Sequence, residues 1–430
     1  MTDQPMENNL NHNEQVEVDI RDEKLLFTNK QPKKVSLAGA VFFALLLAVG
    51  VFIGAYVTVT SQVNAKLREM DQVYAKYAKM ETLLNYIDEN YIREYDNALL
   101  WEAVYAAMFE SIGDPYSQYM TAEEYAAYVE SHSGNYVGIG ISVIYDPETE
   151  GAFVHRVVTD SPAQKAGILP GDIVTAIEQT LLTEDTYSEA LNLVAGEEGT
   201  SVKLTILRDG ETLQIEAVRG KMKTENVFYE KLEGDVAYIE ILSFSEAITY
   251  EQFASALEQA KADGCKAYIF DVRDNPGGSL DVICKCLDLL LPEGDIIHIV
   301  SADGKSESQK SDGERFLDAP MAVLCNGNTA SAAELFTADL RDYGIATIVG
   351  EKTFGKGTMQ SIVPMKDGSA IKITHRYYNP ASNVSYDGIG IKPTEGYEVI
   401  LTEEERLKLY RLPLSEDKQL QKALEALLGN

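Results

Sequence analysis

The residues best suited to chemistry fall in three short segments. In Asn326-Gly-Asn-Thr-Ala-Ser331-Ala-Ala-Glu-Leu-Phe, an apolar strand ends at Cys325, a polar glycine turn follows, and a helix begins near Ser331. A hydroxyl there stands where unpaired N–H groups and the helix dipole favour developing negative charge, as a serine nucleophile requires. Taken alone, the same serine reads as an ordinary N-cap. In Gly350-Glu-Lys-Thr-Phe-Gly-Lys356-Gly-Thr-Met-Gln360, a lysine lies between two glycines in a loop between strands. Exposed, it is a solvated charge. Buried, it loses its proton more readily and can serve as a general base, with Gln360 able to orient the amine. In Asp271-Val-Arg-Asp-Asn275-Pro-Gly277-Gly278, a strand ends in a turn with free backbone N–H groups and little side-chain bulk. Such a turn suits an oxyanion hole, and it is also an ordinary way to end a strand.

The elements that must position these segments alternate strand and helix through residues 221–400. Val236 to Ile241 and Ala267 to Val272 read as apolar strands flanking a helix from Tyr250 to Ala262. A third strand from Met321 to Cys325, a helix from Ala332 to Arg341 and a strand from Ala346 to Val349 follow. The pattern predicts a layered α/β core with helices over a sheet. Residues 401–430 are expected to be helical.

Upstream, residues 132–220 have short β-rich runs with turn signals. Tyr136 to Ile144 reads as a strand entered through a glycine loop, and Ala152 to Val158 as another. Ser161-Pro-Ala163 opens a short helix capped by Gly167, and Gly171 to Ile177 is a turn and strand. Ser188 to Ala195 is a helix, and Ser201 to Leu207 with Thr212 to Ala217 form a hairpin about Asp209-Gly210. Residues 62–131 are helical by apolar spacing at Leu83, Leu84, Ile87, Ala103, Val104 and Met108, with Gly113-Asp114-Pro115 as a breaker. These helices fit a stalk, a dimer contact or a cap on the next domain.

The stretch LAGAVFFALLLAVGVFIGAYVTV from Leu37 to Val59 carries no charge and is long enough to cross a hydrocarbon core of about 30 Å. With Lys30, Lys33 and Lys34 before it, residues 35–60 read as a membrane anchor whose N-terminal side is cytoplasmic and whose C-terminal side is outside. The apolar run is too long for the h-region of a cleaved signal peptide. Residues 1–34 are polar, without apolar period, and read as a disordered tail. The net charge of -31, from 37 basic and 68 acidic residues, argues against nucleic acid and against anionic lipid headgroups. Cys265, Cys284, Cys286 and Cys325 form no CxxC pair and read as buried free thiols. No metal-ligand constellation is visible.

The order GIGI, strand, then SPAQKAGILPGDIV resembles a PDZ domain. The resemblance implies a carboxylate-binding loop of Val137, Gly138, Ile139, Gly140 and Ile141. It also implies a peptide groove between Ile141–Ile144 and the helix from Ser188. The larger pattern is similar to the carboxyl-terminal processing peptidases, or tail-specific proteases, of the S41 serine peptidase family. It comprises Gly113-Asp-Pro-Tyr-Ser117, the PDZ-like segment, a DLRxNPGG-like turn, a SASxxE-like segment and TFGKGxxQ, in order over about residues 80–400. That resemblance implies Ser331 as nucleophile, Lys356 as general base and Gln360 as its orienter. It implies an oxyanion hole from Gly277 or Gly278 with the Ala332 N–H, and a structural role for Asp342. Thr329 replaces the first serine of the SAS pattern, and Ala333 stands where some members carry a further serine. Val272 replaces a leucine, and His375 stands where threonine is usual.

The expected architecture is therefore α+β and multidomain. It joins a transmembrane helix, a helical region, a PDZ-like domain and a crotonase/ClpP-like layered protease core. The resemblance implies a membrane-anchored extracytoplasmic endopeptidase that needs no cofactor. It also implies substrates with free nonpolar C-termini and a homodimer through the N-terminal helices. A PDZ scaffold with an inactive protease-like domain, and a non-proteolytic acyl transferase or crotonase-like enzyme, are the competing readings.

Overall fold

The computed structural model describes residues 36–131, 135–301, 303–314 and 317–429. The expected disordered tail, with Lys30, Lys33 and Lys34, lies outside the described residues, as does His132. The chain divides into two compact units, residues 1–95 and 96–430.

The first unit is dominated by one helix, Leu37–Asn90, whose start is capped by Ser36 Oγ accepting from the Gly39 N–H. Its N-terminal part is long and apolar enough to cross a membrane. Thr58 and Thr60 fold their hydroxyls back onto the carbonyls of Gly54 and Tyr56, so neither leaves an unpaired polar group on the apolar surface. The helix continues past the apolar stretch for about thirty residues more. After Gly54 no glycine or proline occurs before Tyr91, and the Gln, Ala, Lys, Glu and Leu content sustains the helix.

The second unit contains the β-rich domain and the α/β core. In the β-rich domain the strand order is Ile141–Asp146, Gly151–Val157, Ile173–Ile177, Ser201–Arg208 and Glu211–Val218, all antiparallel. Val202, Leu204 and Ile206 point inward at alternate positions of their strand and pack on Val154, Val174 and Ile168. The single strand expected over 136–144 is two strands, Asn135–Gly138 and Ile141–Asp146. Gly140 divides them at φ +84°, and a Cβ there would lie 2.5 Å from Ser161 Cβ. The helix expected from Ser188 to Ala195 is shorter, Tyr187–Asn192. The Arg219 guanidinium takes the carbonyls of Leu193 and Val194 that another turn would have used.

The core has a five-stranded sheet ordered Val227–Leu232, Val236–Ile241, Ala267–Asp271, Met321–Cys325 and Ala346–Gly350, parallel except for the first pair. Ala237, Ile239 and Ile241 face the helices Ile248–Ala262, Leu280–Asp288 and Ala332–Asp342. Val236 and Tyr238 face the C-terminal helix Lys418–Leu428 through Leu420 and Ala423. Coverage on both faces explains why these strands are continuous apolar runs. A second sheet joins Gln118–Met120, Ala370–Pro380, Gly294–Ser301 and Ser306–Ser311, with Thr358–Pro364 paired to Ala370–Pro380. It stands beside the helix Ala332–Asp342.

Two buried charge clusters tie the parts of this unit together. Arg273 pairs with Asp271 and with Asp417 at the start of the C-terminal helix, and donates to Gln419. Arg156 Nε and His155 Nε2, from the β-rich domain, each lie 2.9 Å from the buried Glu240 carboxylate of the core.

Candidate active site

Cys325 ends its strand in the core of the sheet, and residues 326–330 turn sharply to deliver Ser331. Thr329 fixes the turn: its hydroxyl donates to the Val272 carbonyl at 2.8 Å and accepts from the Asn326 N–H at 3.0 Å. The departure from serine at this position therefore keeps the hydroxyl the turn uses. Ser331 has φ 57° and ψ −119°, a strained conformation for a residue with a side chain. An ordinary N-cap sits in the extended region. Here the Glu334 N–H donates to the Ser331 carbonyl, while Ser331 Oγ lies 3.2 Å from the Tyr378 hydroxyl.

The turn from Asn275 to Gly278 runs against this corner. Gly277 has φ +97°, and a Cβ on it would lie 2.7 Å from both Ala330 O and Ala332 N. Gly278 has φ +150°, and its Cβ would lie 2.2 Å from the Phe244 carbonyl carbon. Only glycine permits backbone to pass so close. Of the two glycines expected to offer an N–H, Gly277 spends its own on Asn275 Oδ1 at 2.8 Å. The N–H groups of Gly278 and Ala332 have no acceptor among the described residues.

Glu334 joins the Ser331 segment to the Lys356 loop. Its buried carboxylate accepts from the N–H groups of Ser331 (3.0 Å), Gly355 (2.6 Å) and Lys356 (2.7 Å), and from the Thr353 hydroxyl (2.6 Å). Burial pushes its carboxyl above the usual range, while these four donors pull the other way. One oxygen, Oε2, holds the backbones of both Ser331 and Lys356.

The Lys356 ammonium lies 4.4 Å from the ring centroid of Tyr116, which belongs to the Gly113–Ser117 segment. Asp114 fixes that segment by accepting from the Tyr116 N–H and the Ser117 hydroxyl, and Ser117 Oγ accepts from the Thr374 N–H. Burial lowers the lysine's pKa and nearby Lys372 adds to the effect, against the opposing pull of Asp114 and Glu334. That direction favours the neutral amine a general base needs. Among the described residues no hydrogen bond joins Lys356 Nζ to Ser331 Oγ or to Gln360. Gln360 is turned instead toward Thr358 and Thr374, at 3.3 and 3.0 Å. A register shift between Met359 and Gln360 sets Gln360 opposite Thr374.

Ser331, Lys356, Gln360, Gly277, Gly278 and Ala332 all border one cleft of about 580 Å³. Leu280, Ile283, Leu335, Met359 and Ile362 supply an apolar wall. His375 sits outside this lining and meets Ser361 at 3.3 Å. Asp342 lies at the far end of the helix Ala332–Asp342, about 16 Å along the axis from Ser331 at 1.5 Å per residue, and pairs with Arg341. Cys284, Cys286 and Cys325 are buried free thiols, with Cys265 half-buried.

In the β-rich domain, Ile139 is buried, and its carbonyl and that of Gly140 accept from Ala163 and Val158. The N–H groups of Ile139 and Gly140 have no acceptor among the described residues. The neighbouring strand Ile141–Asp146 is paired on one side only. Val137 and Gly138, by contrast, are paired with Lys221 and Gly220.

Three residues at the site were given no role by the sequence reading, and of these only Tyr378 lines the cleft. Glu334, three residues after Ser331, carries the capping-box spacing that could have marked it. Tyr116 lay within a quoted motif without a role. Tyr378 has no local signal, because only sheet pairing brings it to Ser331.

An α/β core carrying this corner beside a PDZ-type sandwich defines a serine peptidase. The chain matches peptidase family S41 over residues 235–396, the PDZ domain over 136–218 and the N-terminal domain of the activating protease CtpB over 45–124. It is 33% identical over 378 residues to a carboxy-terminal-processing protease of Bartonella bacilliformis, covering 83% of this chain and 85% of that one. It is 30% identical over 369 residues to a "Probable CtpA-like serine protease" of Staphylococcus haemolyticus, covering 84% and 73%. A solved structure titled as an S41 protease from Bacteroides fragilis shares the fold, with TM-score 0.55, 17% identity and coverage of 79% and 91%. The chain belongs to the carboxyl-terminal processing peptidases of family S41.

Proposed function

We propose that this peptidase cleaves with a Ser331–Lys356 dyad, from a site outside the cytoplasmic membrane, on substrates whose C-termini bind its PDZ domain. The observation that carries the reading is the strained Ser331 facing the cleft, with two N–H groups unpaired among the described residues beside it and a half-buried lysine on the same wall. Acylation begins when the Lys356 side chain swings from the Tyr116 ring to Ser331 Oγ and the neutral amine takes its proton. The Ser331 oxygen attacks the peptide carbonyl, and the N–H groups of Gly278 and Ala332 hold the oxyanion. The ammonium then protonates the leaving amine, and water activated by Lys356 hydrolyses the acyl-enzyme. Gln360 becomes an orienter of the lysine only after leaving Thr358 and Thr374.

The apolar stretch from Leu37 supports a single membrane anchor, with 1–34 cytoplasmic by the positive-inside rule. The open edge of Ile141–Asp146 and the free N–H groups of Ile139 and Gly140 support addition of a substrate tail as an extra strand with its carboxylate in the loop. The layered core supports a crotonase/ClpP-like class. The helix Asn97–Glu110 buries none of its residues and exposes Leu99 and Met108, which supports pairing of two copies through the N-terminal helices.

The test is digestion of an unfolded protein ending in apolar residues by the full-length enzyme in detergent. Cleavage by wild type and none by Ser331→Ala supports the dyad. Equal cleavage by both would sink it, and no cleavage by either favours a scaffold.

A further inference from the structure

Tyr378 lies near the end of the strand Ala370–Pro380, is 5% exposed, and is braced edge-on by the Tyr386 ring at 6.1 Å between centroids. Its hydroxyl is 3.2 Å from Ser331 Oγ and 3.0 Å from the Lys356 carbonyl oxygen. In both contacts the phenol is the donor, and its one proton can be given to the Ser331 oxygen or to the Lys356 carbonyl oxygen, which can only accept. A phenol proton on Oγ leaves the Ser331 O–H free to turn toward Lys356 Nζ once the amine leaves Tyr116.

We propose that Tyr378 is a further catalytic residue, which donates its O–H to the Ser331 oxygen at rest and keeps it there while Ser331 gives its proton to Lys356. The proposal rests on the Ser331–Lys356 reading above. When neutral Lys356 approaches, the Ser331 O–H points to Nζ and its proton passes to the amine, leaving an alkoxide and an ammonium. The Tyr378 O–H, already on Oγ, holds the alkoxide without breaking. As Oγ bonds to the substrate carbon, charge moves to the substrate oxygen and the phenol turns to the Lys356 carbonyl. In deacylation Oγ leaves, again accepts from the phenol, and recovers its proton from the Lys356 ammonium. Burial pushes the Tyr378 hydroxyl upward, so it stays a donor at working pH.

The test compares full-length wild type, Tyr378→Phe and Ser331→Ala on one fluorogenic peptide across pH, with thermal unfolding as a control. Tyr378→Phe is expected to lose roughly 100- to 1000-fold in kcat, the scale of one lost donor to a reacting oxygen. KM and the acid limb of the profile stay in place. A kcat equal to wild type overturns the proposal. So does a loss accompanied by a moved acid limb, which would mean that the phenol only holds the lysine loop. Should Tyr378→Phe fail to fold, neutron diffraction of the unmodified enzyme decides: deuterium on Tyr378 directed at the Ser331 oxygen supports the proposal, and any other direction overturns it. If Ser331→Ala remains active, the dyad fails. If it is inert while Tyr378→Phe matches wild type, only the tyrosine proposal fails.

Discussion

Replacing Glu334 tests how the nucleophile and the lysine are held in register. Glu334→Ala would strand three backbone N–H groups, the buried one of Gly355 and the half-buried ones of Ser331 and Lys356. The Thr353 hydroxyl loses an acceptor too, but it still receives the Ile391 N–H and is the least affected of the four. At about 1–3 kcal/mol for a buried donor left unpaired, and less for a donor that water can reach, the cost exceeds that of Gly355 alone and reaches at most about 9 kcal/mol. The upper end is comparable to the whole stability of a typical domain, about 5–15 kcal/mol. Glu334→Gln is milder. Its amide oxygen can keep the Ser331 and Lys356 N–H groups while its NH₂ donates to Thr353 Oγ1, so only Gly355 is orphaned, at about 1–3 kcal/mol. Thermal unfolding followed by circular dichroism should therefore rank wild type above Glu334→Gln, and Glu334→Gln far above Glu334→Ala. The glutamine variant also loses a negative charge that favours the Lys356 ammonium, so the acid limb of its kcat/KM profile should move to lower pH. An alanine variant that melts with wild type and retains its rate would refute this account of Glu334.

Further outcomes follow from the same geometry. Gly278→Ala puts a methyl group 2.2 Å from the Phe244 backbone at a φ that disfavours side chains, so hydrolysis should be abolished even where circular dichroism shows folded protein. Lys372→Met removes a cation that lowers the Lys356 pKa, so the acid limb should move to higher pH, as kcat/KM against pH would record. An epitope tag after Asn430 should be digested by protease added to intact spheroplasts. A tag before Met1 should be protected unless the membrane is broken.

The core was legible because its parts are local and both faces of its sheet are covered. Val236–Ile241, Ala267–Asp271 and Met321–Cys325 are fully buried runs, and the turns that follow two of them keep their glycines contiguous in sequence. The second sheet was largely missed: Ser306–Ser311 is polar at nearly every position, and its pairing with Gly294–Ser301 leaves little apolar pattern. The cleft's long-range contacts were equally hidden. Tyr378 reaches Ser331 through strand pairing, and the shift at Met359/Gln360 that turns Gln360 to Thr374 has no mark in composition. Gln360 and Gly277 show the limit of motif transfer. Both stand at the site, yet each spends its hydrogen bonds on neighbours, Thr358 and Thr374 for one and Asn275 for the other.

The central claim is that Ser331 is the nucleophile and Lys356 its base. A fluorophosphonate probe, followed by peptide mass mapping of the full-length enzyme, tests it directly. The account predicts a single adduct on the peptide carrying Ser331, absent in Ser331→Ala and formed far more slowly in Lys356→Ala. An adduct on another residue, or labelling of Lys356→Ala at the wild-type rate, would contradict it.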